Sequence, residues 1–233
     1  MLDFPTGNSL LHVLAMADAE LLLPKFESVE LKIGEKLYKA HEPIEHAYFP
    51  LCGICSVIAE NEEGVRIETG LIGREGFVGT PIILFVESAA SEVIVQAGGN
   101  ALRISRLMLL NAVQKSPPLN RLLLRFAHVF SVQVAQTAVA NAHNTINERL
   151  ARWLLMCLDR GESREFPMTH QFLSAKLAVR RAGITDALND LEGRQAIRAT
   201  RGHILILNRT ILEQIAGAAY GTPEAEYKRV ITN

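Results

Sequence analysis

The sequence predicts an α+β fold with three parts in chain order. These are an N-terminal antiparallel β-roll (a double-stranded β-helix, cupin-like), one long helix, and a small helical domain that contains a β-hairpin. Short runs of alternating apolar and polar residues in the first half of the chain indicate the roll. A sustained helical repeat and then a mixture of helical and strand-like segments indicate the other two parts. We expect the boundaries 1–116, 117–143 and 144–233.

Composition limits the class of protein. The chain has 233 residues, 48% hydrophobic and 21% charged, which suits one large or two modest folded domains and excludes general disorder. No uninterrupted apolar run approaches the roughly 20 residues of a transmembrane helix, so we expect no membrane partner. The stretch Met1–Glu20 lacks Lys and Arg, and three cysteines cannot form an even disulfide framework. These features predict a cytoplasmic protein with reduced thiols.

The roll is predicted from strands with period two, separated by turns that carry Gly and Asn. An apolar helix, about Asn8 to Leu23, is expected before it. The turns are expected at Asn61–Gly64, Gly73–Gly76 and Gly98–Asn100, because Gly and Asn tolerate positive φ. The predicted strands are Val29–Ile33, Lys36–Lys39, His46–Phe49, Ile54–Ala59, Val65–Ile72, Glu92–Gln96 and Leu102–Ile104.

The long helix is predicted from about Pro118 to Ala142, since Pro is favoured in the first turn of a helix. Residues at alternating spacings of four and three along it are typical of a two-helix coiled coil and predict a homodimer. The alternative is a helix that lies across its own β-domain, which apolar Leu122, Leu124 and Val129 beside the seam would allow. The predicted dimerisation residues are Leu119, Leu123, Phe126, Phe130, Gln133, Thr137 and Ala140.

The segment Thr169–Leu191 has the pattern of a helix-turn-helix. Thr169 can cap a first helix, a tight turn is expected at Ala178–Arg180, and Ile184, Leu188 and Leu191 give the second helix one apolar stripe. A β-hairpin follows, with strands near Ala196–Arg198 and His203–Leu207 and a turn at Thr200–Gly202. Basic residues outnumber acidic ones from residue 144 onward, whereas acidic residues predominate before it. Together these features predict a winged helix-turn-helix that binds double-stranded DNA.

The residues expected at the DNA lie on the polar side of the second helix, on the first helix and in the wing. Arg180 and Arg181 are expected to contact base edges, because Arg offers a bidentate donor fork to guanine. The alternative is that these residues have only a structural role, with the arginines on a solvated helix face and Asp186 paired with Arg181. The predicted DNA-binding residues are Thr169, Lys176, Arg180, Arg181, Thr185, Asp186, Asn189, Arg201 and His203.

From about Leu23 to Leu212 the chain resembles the Crp/Fnr superfamily of bacterial transcription regulators. The resemblance rests on Tyr48–Ser56 and Gly73–Gly79 in the roll, Glu148–Leu155 after the long helix, and Val179-Arg-Arg with Arg201-Gly202 in the last domain. It implies a cytoplasmic homodimer that binds an inverted-repeat operator, with RNA polymerase as a further partner. The roll would sense an unknown signal, or none.

The sequence departs from the effector sites that the resemblance implies. Members that bind cyclic nucleotides have a Glu and an Arg-Ser/Thr pair where this chain has Thr80 and Ser91-Glu92. Because an acid would repel the cyclic phosphate, we expect no cyclic AMP binding of the usual kind. Members with an iron–sulfur cluster use four cysteines, and three cannot supply them. We therefore expect no cofactor and leave the small-molecule effector unidentified.

Two other groups of residues were considered as sites. Cys52-Gly-Ile-Cys55 has a metal-ligand spacing without a second pair, and His41 and His46 lack the HxH spacing of a cupin metal site, so both are interpreted as structural. No catalytic motif is found, and the chain is not expected to be an enzyme. The alternative function is a small-molecule-binding β-roll protein, or a cupin-like enzyme, whose C-terminal domain is merely structural.

The sequence also predicts features of the helix-turn-helix turn and of the C-terminal tail. The usual turn Gly of the helix-turn-helix is replaced by Ala178, which adds strain if that residue is left-handed. The tail from about Ala216 to Asn233 is expected to be loose or ordered by a partner, because Gly217, Gly221 and Pro223 interrupt it.

Overall fold

A computed structural model describes residues 7–14, 16–161 and 163–232. Within these ranges the chain has the predicted α+β architecture: an antiparallel β-roll, a long helix, and a helical domain with a small β-sheet. The outer ends of the first and last predicted domains, residues 1–6 and 233, lie outside the described residues.

The roll consists of two antiparallel sheets packed around one core. One sheet has the strand order β1-β7-β3 and the other the order β2-β6-β4-β5. Residues on facing sides fill the space between them, and the rings of Phe49 and Phe77 stack at a centroid distance of 5.2 Å. The strands are β1 (Glu27–Leu31), β2 (Lys36–Tyr38), β3 (His46–Pro50), β4 (Ile54–Glu60), β5 (Arg66–Ile72), β6 (Ser91–Ala97) and β7 (Gly99–Ser105).

The N-terminal helix is shorter and more broken than predicted. Two short helices, α1 (Ser9–His12) and α2 (Met16–Leu22), stand where one helix from Asn8 to Leu23 was expected, and a 3₁₀ turn (Leu23–Lys25) follows. Asn8 is fully buried, and its side-chain amide donates to the carbonyl oxygens of Pro50 and Gly76 at 2.8 and 2.9 Å. These two long-range hydrogen bonds fix the start of the chain on the roll.

After the roll the chain continues through short α4 (Arg106–Lys115) into α5 (Pro117–His143); α3 (Thr80–Ile83) lies inside the roll sequence. Ser116 caps α5 by accepting from the Leu119 amide, and Pro occupies the first turn as expected. By length and mean hydropathy (1.3), α5 is the one described helix that could cross a bilayer. Core helices of folded domains pass the same test, and Leu119 and Leu123 are buried in the core of the roll.

The C-terminal domain begins with α6 (Ile146–Arg160), which the predicted capping box starts. Thr145 Oγ1 accepts from the Glu148 amide, and the Glu148 carboxylate accepts from the Thr145 amide. The remaining elements are β8 (Glu165–Pro167), α7 (His170–Leu177), α8 (Arg181–Gly193), β9 (Ile197–Thr200), β10 (His203–Ile206), α9 (Arg209–Ala216) and α10 (Thr222–Tyr227).

The C-terminal domain packs directly on the roll of the same chain. Ile54 and Leu71 of the roll are buried in the same apolar cluster as α6, α7 and α8. At the edge of this contact, Arg160 Nε of α6 lies 2.8 Å from the Glu75 carboxylate of the roll. The two domains therefore share a core in this arrangement.

The C-terminal tail is ordered, which corrects the expectation of a loose segment. A 3₁₀ turn (Gly217–Ala219), α10 and a π-helical turn (Lys228–Thr232) follow α9. Ile231 is buried in the core of the roll, and the Glu226 carboxylate lies 2.6 Å from His128 Nε2 of α5. Gly217 and Gly221, both with positive φ, are turns between tail segments rather than signs of disorder.

Candidate nucleic-acid interface

Helices α7 and α8 form a helix-turn-helix with the predicted boundaries. Thr169 caps α7 by accepting from the Phe172 amide at 3.1 Å. The turn consists of residues 178–180, and Ala178 is left-handed (φ 50°, ψ 46°). Ser174 ties the turn back to α7, because its hydroxyl donates to the Val179 carbonyl oxygen and its own carbonyl accepts from the Val179 amide. The sequence placed this turn correctly, including the strained position.

The second helix buries one side and exposes the other. Its buried side is the predicted apolar stripe, which packs on α6 and α7. Arg181, Asp186 and Asn189 are exposed on the opposite side, while Thr185 is half-buried. The Thr185 hydroxyl lies 3.0 Å from His170 Nδ1 of α7. The sequence analysis did not predict a role for His170. Its position directly after Thr169, the N-cap of α7, could have indicated that it lies on the same surface.

The two arginines at the start of α8 are positioned at the surface. Arg180 is the extended N-cap residue of α8, and Arg181 begins its first turn. Both side chains are exposed, and neither forms an ion pair with the residues described. A guanidinium held this way is available to an external acceptor.

The wing is a three-stranded sheet with the order β8-β10-β9, one strand more than the predicted hairpin. Arg201 and His203 are exposed at its tip, where Gly202 has a φ of 81°. The Met168 amide donates to the Gly202 carbonyl oxygen at 2.7 Å. This hydrogen bond brings the wing tip beside exposed Thr169 at the start of α7.

Lys176 does not lie on this surface in the arrangement described, and its contact with DNA stays a prediction. Its ammonium group lies 2.9 Å from the buried carboxylate of Glu68 and donates to Ser56 Oγ at 2.9 Å, both in the roll. The indole of Trp153 donates to the other Glu68 oxygen at 2.6 Å. The sequence showed a Lys on a polar helix face but could not show that the roll covers that face.

The seven predicted dimerisation residues face their own chain, which corrects the choice of helix face. Phe126 packs against Phe77 of the roll, Gln133 exchanges two hydrogen bonds with the Leu71 backbone, and Thr137 accepts from Arg152 of α6. The spacing identified a buried stripe, but the stripe is buried by the roll and by α6. The buried members of the set are Leu119, Leu123, Phe126, Gln133 and Ala140; the half-buried ones are Phe130 and Thr137.

Inside the roll, the charge of Glu92, which was expected to repel a cyclic phosphate, is balanced by two basic side chains. Glu92 is 7% exposed and pairs with Lys36 at 2.7 Å and with Arg66. Thr80 is half-buried at the start of α3. The side chain at position 92 therefore binds cations of its own sheet.

The cysteines occupy structural positions. Burial raises the pKa of Cys55 to about 12 and also raises the pKa of Cys157, which disfavours the thiolate form. Cys52 lies in a turn, where its sulfur accepts from the Asn100 amide. Across residues 7–14, 16–161 and 163–232, no group of three or more His, Cys, Asp or Glu side chains is arranged to hold a metal ion.

Comparisons with known proteins agree with this architecture. Residues 148–215 match the model of the Crp-like helix-turn-helix domain. No curated protein matches.

Among similar solved structures are FixK2 from Bradyrhizobium japonicum (17% identity, TM-score 0.69, 84% of this chain and 99% of that one) and a putative Crp/Fnr-family regulator from Eubacterium rectale (16%, 0.68, 89% and 97%). The c-di-GMP responsive regulator CLP from Xanthomonas campestris is also similar (15%, 0.65, 83% and 100%).

The predicted resemblance is thereby confirmed over most of the chain. The roll, the long helix and the winged domain follow one another as in these regulators. At these sequence identities the similarity shows a shared fold. The chain has the fold of the Crp/Fnr transcription regulators, and its residues 148–215 form their helix-turn-helix domain.

Proposed function

We propose that this protein is a homodimeric regulator that binds a specific sequence of double-stranded DNA with α8 and the wing. The observation that carries the proposal is the exposed, unpaired pair Arg180 and Arg181 at the start of α8, beside a wing tip with Arg201 and His203. A recognition helix enters the major groove with its N-terminal residues towards the bases. Thr169 and the wing residues would hold phosphates, and Asn189 would contact a neighbouring base.

The dimer would form through the side of α5 that faces away from the roll. Leu124 and Val139 are 38% and 50% exposed there, and most of the residues between them on that side of the helix are small. Small residues allow two helices to approach closely, and their spacing of four and three keeps them on one side. The proposed dimer residues are Leu124, His128, Ser131, Ala135, Ala138 and Ala142, with Val132 and Val139 alongside.

A two-fold axis along this side of α5 would relate two recognition helices. Such a dimer reads an inverted repeat whose half-sites are about 34 Å apart. Lys176 would join the phosphate contacts only after the C-terminal domain leaves the roll. A signal received by the roll would act by changing the populations of these two arrangements. A cytoplasmic location and contact with RNA polymerase are part of the same proposal.

The alternative, a small-molecule-binding or enzymatic β-roll with a structural C-terminal domain, has less support. A merely structural domain gives no reason for two adjacent arginines to stay exposed and unpaired at the start of α8.

The proposal is tested by selecting binding sequences from random duplex DNA at about 150 mM salt, where non-specific phosphate contacts are weakened. A two-fold symmetric consensus is expected, and enrichment of no sequence would contradict the proposal for the effector-free protein. Arg181→Ala should cost about 1–3 kcal/mol of binding and relax preference at one position of each half-site. The matched control is Arg194→Ala at the far end of α8, where Arg194 is paired with Asp190. Equal losses on all sequences would contradict base reading by Arg181.

A further inference from the structure

A cavity of about 160 Å³ lies where the roll, α5, the end of α6 and α10 meet. Its walls are largely apolar, formed by Phe126, Val129 and Phe130 of α5 and by Pro223 of the tail. The cavity is separate from the interior of the roll near Thr80 and Glu92, where the resemblance places cyclic nucleotides. Its size compares with the engineered cavity of about 150 Å³ that takes up benzene in another protein.

Most polar groups around the cavity already bind each other. Arg160 binds the Glu75 carboxylate and donates to the carbonyl oxygens of Leu71 and Met156. Asp159 accepts from the Arg209 guanidinium at 2.7 Å and from the Tyr220 hydroxyl at 2.5 Å. These groups form fixed parts of the wall.

Two polar atoms of α10 at the cavity differ from the others. Glu224 Oε2 and the Tyr227 hydroxyl are buried, and neither has a hydrogen-bond partner among the described residues. A buried polar atom without a partner is unfavourable, most of all on a carboxylate. Arg152 and the wall residue Arg160 lie near enough to act on Glu224 electrostatically, but neither donates a hydrogen bond to Glu224 Oε2.

The two atoms define what a ligand must offer. Glu224 Oε2 can only accept a hydrogen bond when ionised, so the ligand needs a donor, and a cationic donor gives the stronger bond. Burial raises the pKa of Tyr227, so its hydroxyl stays protonated at neutral pH. The aromatic side chains of Phe126 and Phe130 favour a flat ring, and also favour positive charge near their faces.

We propose that this cavity binds a small aromatic amidine or amine, with its cationic group on Glu224 and Tyr227 and its ring between the α5 side chains. A ligand there would touch the roll at Glu75, the long helix, and the tail that follows the DNA-binding domain. Bound ligand would hold the C-terminal domain against the roll, a consequence that rests on the proposed function. The binding itself does not depend on it.

The test uses benzamidine as the probe and the full-length protein. Isothermal titration calorimetry should give saturable binding of one benzamidine per chain. Neutral benzamide, which has the same shape, should bind at least about tenfold more weakly, and benzoate should not bind. The variant Glu224→Gln keeps the shape of the side chain and should weaken benzamidine binding by about tenfold or more. The control Glu62→Gln makes the same change at an exposed turn of the roll, outside the cavity, and should leave binding within about twofold.

Three results would overturn the assignment. They are no saturable binding of benzamidine up to its solubility, equal binding of benzamide, and equal weakening by Glu224→Gln and Glu62→Gln. The first means that the cavity does not bind an aromatic amidine. A thermal unfolding scan of each variant shows that it is folded, so loss of binding cannot be mistaken for loss of structure. Because calorimetry needs no DNA, failure of the ligand site and failure of DNA binding are distinguishable.

Discussion

Replacing Glu68 by Gln tests whether the contact between the roll and the C-terminal domain depends on one buried carboxylate. Glu68 accepts from the Trp153 indole at 2.6 Å and pairs with Lys176 at 2.9 Å. The side chains of Glu68 and Lys176 are only 5% and 13% exposed. In Glu68→Gln the charge of Lys176 would stay buried without a counter-ion, which costs about 3–5 kcal/mol. Separation of the domains lets Lys176 reach water, so we expect the domains to separate rather than bear the full cost of the buried, unpaired charge.

The only tryptophan of the chain is Trp153, and it reports this change directly. It is 3% exposed in the docked arrangement. Undocking should shift its fluorescence emission to longer wavelength and increase quenching by acrylamide. Glu60→Gln on the same sheet is the control, because Glu60 is half exposed and pairs with Arg66 at the surface.

A second variant separates the charge effect from a general loss of packing. Glu68→Gln combined with Lys176→Met removes both charges, and replacement of a buried ion pair by apolar groups is often neutral. The double variant should therefore recover much of the docked Trp153 signal. An unchanged Trp153 emission in Glu68→Gln, or a double variant as undocked as the single one, would refute the reasoning.

Three further predictions concern the turn, the dimer and the tail. Ala178→Gly should raise the free energy of unfolding in urea by about 0.5–1 kcal/mol, because left-handed strain of about 1–2 kcal/mol exceeds the extra chain entropy of Gly; lower stability would contradict this. Ala138→Glu should convert the dimer to monomer in sedimentation velocity, whereas Gln114→Glu on α4 should not; a dimer that persists would exclude the proposed side of α5. Hydrogen bonds from Arg229 and His128 lower the pKa of Glu226 to about 2, from its ordinary 4.5. The stability that this contact gives the tail is therefore present above pH 4.5 and lost as pH falls through about 2. Hydrogen exchange of α10, corrected for intrinsic rates, should rise over that window in the wild type but not in Glu226→Gln.

Local patterns predicted the elements of this fold well. Alternation places β4 and β5 within a residue or two of their observed ends, because side-chain direction in a strand is fixed by the backbone. The capping box at Thr145 and the turn at Ala178 were equally readable, since each depends on neighbours within a few residues. The polar side of α8 follows from its buried stripe by the same reasoning.

What the sequence could not give is which surface covers a given stripe. The pattern of α5 is compatible with packing on a partner helix or on its own roll. Gln133 is buried and forms two hydrogen bonds to the backbone of β5, which no local pattern predicts. The position of Lys176 could not be predicted for the same reason, since its partner Glu68 lies more than a hundred residues earlier in the chain. The order of the tail could not be predicted because it comes from contacts with α5, which Ile231 and Glu226 make.

The covering of the α5 stripe and of Lys176 by the same chain bears on function. One side of α5 is occupied by the roll and by α6, while the proposed dimer would use the opposite side, where the tail contacts His128. Both interactions can therefore exist together, and His128, which binds Glu226 of the tail, is assigned to both. A change in docking alters what holds the first side, because Thr137 of α5 accepts a hydrogen bond from Arg152 of α6. A packed helix transmits such a change to its other side as rotation or translation. The dimer would then respond to the docking of the C-terminal domain through the position of α5 as well as through His128, which the tail contacts. The Glu68→Gln variant tests this coupling, because undocking should change the dissociation constant of the dimer even though position 68 lies outside the proposed dimer surface.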